Sequence, residues 1–162
     1  GIIVDIRGYP NTFVVHQLAA IFTRNATPWV RFSAMNLNNP GEFNIGESIK
    51  AVGNKDSYQG KLVVLVNEKT QSQAEFTAMA LRAGDNTTIV GSTTAGADGN
   101  VSTIYLPGNI RTRLSGIGVY YPGGSETQRV GIVPDIEVLP TIAGVRAGRD
   151  ELLEKAIEII RL

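Results

Sequence analysis

The sequence contains no cysteine, which removes disulfides, thiolate metal ligands and a cysteine nucleophile together and leaves the redox compartment open. Histidine occurs once, as His16. No stretch strings Lys or Arg together, and 15 basic residues cancel 15 acidic ones, so the chain carries no electrostatic footprint for nucleic acid or a lipid surface. No apolar run reaches the roughly 18 residues that a transmembrane helix needs. The sequence opens directly on GIIVDIR at Gly1. A chain that opens in mid-strand is expected to be an excised or processed piece of a longer protein. Its 162 residues predict a single domain, residues 1–162, at about 100 to 200 residues per domain.

What is present divides cleanly by periodicity. GIIVDIR and KLVVLVN are continuous β-branched runs, the pattern of strands covered on both faces in a parallel sheet, and both are expected to be central strands. Residues 11–23 place Val14, Val15, Leu18, Ile21 and Phe22 on one helical stripe. A second helix is expected from Ser72 to about Ala83, with Phe76, Met79, Ala80 and Ala83 along one side. TTIVG is a short strand, and STTAGADGN after it is too rich in Gly, Thr and Asp for regular structure. VSTIYLPGNIRTRLSG predicts a hairpin turning at Pro107, Gly108 and Asn109. Residues 149–162 form an amphipathic helix with Leu152, Leu153, Ala156, Ile157 and Ile160 inward. Residues 36–58, with their Asn, Pro and Gly, are expected to be a surface excursion.

The junction KTQSQAEFTAM, between the strand LVVLV and the second helix, carries the most chemistry. SQAE is a capping box, with Ser72 bonding the N–H three residues on and Glu75 reaching back. That motif alone accounts for a serine there. Thr70-Gln71-Ser72-Gln73 offers an overlapping box, and with Thr70 as the cap Ser72 would enter the first turn with its hydroxyl free. A serine at the positive end of a helix, beside unpaired N–H groups, is well placed for nucleophilic chemistry.

The segment VLVNEKTQSQAEFTAMALRA resembles the core of the C-terminal processing (tail-specific) serine peptidases, whose pattern is close to VLVNEGTASASEIVAGAL. The similarity continues through IVGSTTAGADG, through GIVPDIEV, and back to GIIVDIRGYPN. This resemblance implies a ClpP/crotonase-like α/β fold, a ββα spiral core with a parallel-rich sheet covered by helices. It implies Ser72 as the nucleophile, with the backbone N–H of Gln73 as one half of an oxyanion hole. The other half is implied in the loop after the first strand, at Asn11, where the family's Pro-Gly-Gly is replaced by Pro10, Asn11 and Thr12. Without those glycines, a backbone that must bring an N–H close to substrate has less freedom.

A second departure affects the base. The family places a lysine in a GEKTFGKG-like segment, and the matching position here is Ala97. A serine hydroxyl is a weak nucleophile until a neighbour takes its proton, so the family's Ser-Lys dyad cannot form in this loop. Three substitutes follow. A histidine from a preceding segment of the same protein, as in the related tricorn protease core, is the favoured one. Lys69 is a candidate, although its place in the turn predicts a solvated charge. Asp98 could orient a base but, near the ordinary carboxylate pKa of about 4, would be a poor one itself.

Other polar residues have plainer expectations. His16, off the apolar stripe, is expected at the surface or on a rim. In the family, Asp5-x-Arg7 is mostly architectural, and Asp135 marks a strand entry. Tyr120, Tyr121 and Trp29 either line a peptide groove or pack. The sequons at Asn25, Asn86 and Asn100 arise readily in a Thr-rich chain. No His, Asp and Glu set has metal-ligand spacing, and no cofactor is implied. The expectation is therefore a serine endopeptidase core acting on polypeptide through an acyl-enzyme at Ser72, in the periplasm or cell envelope by resemblance. A non-catalytic peptide-binding domain that kept the fold and lost its base is the alternative. A crotonase-like acyl-CoA site, a third possibility, has no residue in its favour.

Overall fold

In a computed structural model describing residues 1–162, four parallel strands form the central sheet: β1 (Ile2–Asp5), β5 (Leu62–Val66), β6 (Thr87–Gly91) and β10 (Ile136–Glu137), in the order β1-β5-β6-β10. All five residues of β5 are buried, and its alternation decides what each face packs against. Leu62, Val64 and Val66 join the larger core with helices α1 (Val15–Phe22) and α2 (Gln73–Arg82). Val63 and Leu65 point the other way, to Leu152 and Ala156 of α4 (Glu151–Arg161). A short helix α3 (Ile142–Arg146) precedes α4. The expected parallel sheet covered by helices is therefore the architecture found.

A second, antiparallel sheet is built on β2 (Thr27–Met35), which pairs with β3 (Phe43–Ile45), β4 (Ile49–Ala51) and β9 (Val119–Tyr120). The expected hairpin is β7 (Val101–Leu106) with β8 (Ile110–Ser115), joined at Pro107–Asn109. Every residue of its two strands is exposed.

Four expectations need correction. β1 is an edge strand, with Ile2, Ile3 and Val4 only half-buried. A β-branched run reports covered faces and is silent about a missing lateral neighbour. Helix α1 starts at Val15, and its inward row is Val15, Ala19 and Phe22, while Val14 and Ile21 are exposed. Counting alanine as neutral rotated the apparent stripe. In α4, Leu153 faces outward, and Leu152 and Ala156 are buried. Residues 36–58, exposed over most of their length, contain β3 and β4, which at three residues each are too short to show a period among the surrounding Asn, Pro and Gly.

Candidate active site

Ser72 stands between β5 and α2 as the N-cap of the helix, with φ 51° and ψ −121°. Non-glycine residues rarely adopt a positive φ, and such a conformation costs about 1 to 3 kcal/mol where the surroundings hold it. Here the surroundings do hold it. The Ser72 N–H donates to the Ala97 carbonyl at 3.0 Å and to Glu75 Oε2 at 3.1 Å. Upstream, the Thr70 carbonyl accepts from the Ala95 N–H at 3.0 Å, and the Thr70 hydroxyl accepts from the Asn67 N–H at 3.0 Å. Thr70 therefore braces the turn and is not the cap. Of the capping box, only the carboxylate half reaches hydrogen-bonding geometry, and the Ser72 hydroxyl makes no capping bond.

Glu75 does more than cap. Fully buried, it also accepts from the N–H groups of Gly96 at 2.8 Å and Ala97 at 2.9 Å, and from the Thr94 hydroxyl. One side chain on the first turn of α2 thus fixes the loop of residues 92–100 against the serine. The loop turns at Gly96, φ 64°, where a Cβ would lie 3.0 Å from the backbone of Arg129 and Gly131. Gln128 braces it further, donating from Nε2 to the Asp98 and Ile117 carbonyls at 2.9 Å each. The sequence flagged Glu75 as a cap only, and nothing in it flagged Gln128.

Gln73 follows the serine, and its backbone N–H donates to no other group of the chain, leaving a free donor at the positive end of α2. Its side chain donates from Nε2 to the Thr12 carbonyl at 2.7 Å. The loop carrying Asn11, itself exposed, is thereby tethered next to the serine.

Asp98 is buried, and burial pushes its carboxyl up to about 6; the Gly99 N–H pulls it down, and the charge of Glu75 adds to the rise. Its Oδ1 accepts the Gly99 N–H at 2.7 Å, while Oδ2 is covered and has no partner. This corrects the expectation of an ordinary carboxylate. Lys69, by contrast, is exposed in the turn, with its N–H on Asn67 Oδ1 at 3.0 Å, and is not part of the cavity described next.

A cavity of about 350 Å³ opens beside Ser72. Ser72, Gln73, Asp98 and His16 contribute to its wall together with Tyr9, Phe13, Phe32, Ile49, Phe76 and Val119. His16 is exposed, as expected, but it stands on the same cavity as the serine, edge-on to Phe13 and Trp29 at centroid distances of 5.8 and 5.9 Å. Trp29 is buried and packs on Phe76 at 4.6 Å. Tyr121 accepts from Arg82 Nη1 at 3.0 Å outside this cavity. Arg7 clamps Asp5 at 2.6 Å and Asp150, the cap of α4, at 2.7 Å; it anchors the end of β1 to α4 and holds both carboxyls below their ordinary range. Asp135 Oδ2 accepts the Ile89 N–H at 2.7 Å where the chain enters β10. No group of three or more His, Asp or Glu side chains lies close enough to hold a metal ion.

The family model of peptidase family S41 matches residues 1–138. The chain belongs to peptidase family S41. A protein of Chlamydia trachomatis serovar D is 32% identical over 107 residues, which are 64% of this chain and 18% of that protein. A Chlamydia muridarum protein is 30% identical over the same length. Among solved structures, one from Parabacteroides merdae superposes with a TM-score of 0.84 at 21% identity, over 98% of this chain and 51% of that one. Mature CPAF gives 0.78 at 19% identity, over 98% and 43%. The photosystem II D1 C-terminal processing protease gives 0.64 at 24%, over 86% and 35%. The tricorn protease gives 0.54 at 17%, over 97% and 14%. At these identities the superpositions establish the shared fold. The S41 chain spans about half the first of these structures and under a fifth of its chlamydial relatives.

Proposed function

We propose that this S41 domain is the core of a serine endopeptidase that cleaves polypeptides through an acyl-enzyme at Ser72. The Ser72 hydroxyl oxygen attacks the carbonyl carbon of the scissile peptide bond as a base takes its proton. The Gln73 N–H, with a second donor from the Asn11 loop, stabilises the oxyanion. Collapse breaks the C–N bond, and the proton leaves with the amine; water then releases the acyl group by the same steps reversed. The reaction as written requires no metal or cofactor. The observation that carries the reading is the left-handed Ser72 backbone at a strand-to-helix junction, with an unpaired N–H on the next residue.

The base comes from outside these residues. Ala97, at the family's lysine position, has no proton-accepting side chain, Lys69 faces solvent, and His16, on the cavity rim against Phe13 and Trp29, makes no hydrogen bond to Ser72. A histidine from a preceding segment of the protein fills the place, with Asp98 as the carboxylate that orients it. The polypeptide binds as an added strand, so that main-chain hydrogen bonds admit varied sequences. By family resemblance the enzyme works in the cell envelope. The test is hydrolysis of an unfolded protein by full-length protein and its Ser72→Ala variant: loss of turnover is expected, and unchanged turnover removes Ser72 from the mechanism. The missing lysine favours a second reading, a peptide-binding domain without catalysis, which retained binding with no turnover in the wild-type protein would support.

A further inference from the structure

We propose that a second cavity, behind the wall of the active site, binds a carboxylate carried on a short apolar stem. About 250 Å³ in volume, it opens between the start of β2 and the last turn of α2. Pro28, Met79 and Ala83 give it an apolar surface. It shares no residue with the wall of the cavity beside Ser72. Trp29 is the partition between them: it lines the second cavity, is only 2% exposed, and packs on Phe76, which lines the first.

Three donors on this wall lack an acceptor. The indole Nε1 of Trp29 and the Nε of Arg82 are buried and bond to no group of the chain. Buried polar groups are nearly always paired, because an unpaired one keeps its full cost of desolvation, so two on one cavity call for an acceptor from outside. The rest of the Arg82 guanidinium is taken. Its Nη1 donates to the Tyr121 hydroxyl at 3.0 Å, and its Nη2 to the Val133 carbonyl and, at 3.4 Å, to Asp135 Oδ1. The Tyr121 hydroxyl accepts that bond and donates to no group of the chain. An indole N–H, a guanidinium N–H and a phenol O–H, with a positive charge among them, select an anionic acceptor, and one carboxylate can accept several donors at once. The cavity is smaller than most ligand sites, which suits a small acid or the last residue of a chain. Both nitrogens are covered, so binding turns the Arg82 side chain, 28% exposed, toward the incoming oxygen.

The experiment titrates full-length protein, isotope-labelled in tryptophan, and follows the indole N–H signals by NMR; its outcome does not depend on turnover. The probes are isovalerate, isovaleramide and isoamylamine, with the peptide acetyl-Ala-Ala-Leu as acid and as amide. The Trp29 signal, identified by its absence from Trp29→Phe, is expected to move downfield as its N–H gains an acceptor. The carboxylate probe should bind about tenfold or more tightly than its amide, and the amine not at all. Arg82→Met should weaken it about tenfold or more. Ala83→Leu, at a partly exposed helix end, should fill the cavity and abolish binding. Both variants keep Trp29, so its signal also reports whether the fold is retained. A response to isovalerate makes a free acid sufficient, and a response to the peptide acid alone makes the chain end the source; either supports the site. A Trp29 signal that no probe moves, an equal response to acid, amide and amine, or undiminished binding in folded Arg82→Met or Ala83→Leu overturns the proposal.

Discussion

The backbone N–H of Ser72 donates to the carbonyl of Ala97 at 3.0 Å, so the loop position where related peptidases carry a lysine touches the serine and offers only a methyl group. Ala97 is exposed and its side chain is no part of the cavity wall, whereas the next residue, Asp98, is buried in that wall. A lysine at position 97 would extend into solvent. Its ammonium would keep its proton at neutral pH, because burial, the effect that lowers a lysine pKa, is missing and the Asp98 carboxylate favours the charged form. Ala97→Lys in the 162-residue chain should therefore give no serine-dependent hydrolysis between about pH 7 and 10, the range over which a lysine base would show itself. A rate that climbs with lysine deprotonation would contradict this.

Glu75→Ala should cost about 2 to 3 kcal/mol, because it removes the acceptor of the buried Thr94 hydroxyl and of the half-buried N–H groups of Gly96 and Ala97 at once. Denaturant titration reads this as a lower midpoint with an unchanged slope. A loss below about 1 kcal/mol, the worth of a simple cap, would mean that Glu75 does no more than cap the helix.

Asp98 gives stability a pH dependence with a definite sign. Its carboxyl pKa is raised on folding, from 3.8 to about 6, so the native state binds the extra proton between those values. This contribution is fully present below about pH 4 and is lost as pH rises through about 6. Asp98→Asn should flatten that fall, leaving stability nearly constant between about pH 4 and 7. In the full-length enzyme the same variant should lose turnover by about a hundredfold or more, as expected for a group that orients the base. Equal stability profiles for wild type and variant would remove the buried charge, and full turnover would remove the orienting role.

The parallel sheet, α2, the hairpin and the serine junction were legible because each combines a clear period with a capping or turn signal: LVVLV is apolar throughout, and SQAE marks the start of α2. β3 and β4 were not, since strands of three residues are too short to show a period. β1 looked central because side-chain burial on two faces says nothing about a lateral neighbour. At the site, the capping signal singled out Ser72, and the family resemblance implied its role and that of Gln73. It gave no sign that Glu75 grips a loop some twenty residues away, that burial lifts Asp98, or that His16 and Ser72 share a cavity. Those facts arise from long-range packing, which a single sequence does not write down.

The left-handed backbone of Ser72 makes a further prediction. Ser72→Gly keeps the Glu75 carboxylate on the cap N–H and removes the cost of a Cβ at φ 51°. The variant should be more stable than wild type by about 1 kcal/mol and should not hydrolyse peptide. A destabilised glycine variant would show that the serine side chain supports the fold.

Ser72 as the nucleophile is tested most directly by covalent capture. Full-length protein treated with a fluorophosphonate, which reports an activated serine, is digested and its peptides are weighed by mass spectrometry, with Ser72→Ala in parallel. The expected result is one phosphonyl adduct on the peptide containing Ser72, absent from the variant and accompanied by loss of polypeptide hydrolysis. Hydrolysis that continues in protein fully labelled at Ser72, or an adduct on another serine with Ser72 unmodified, would contradict it.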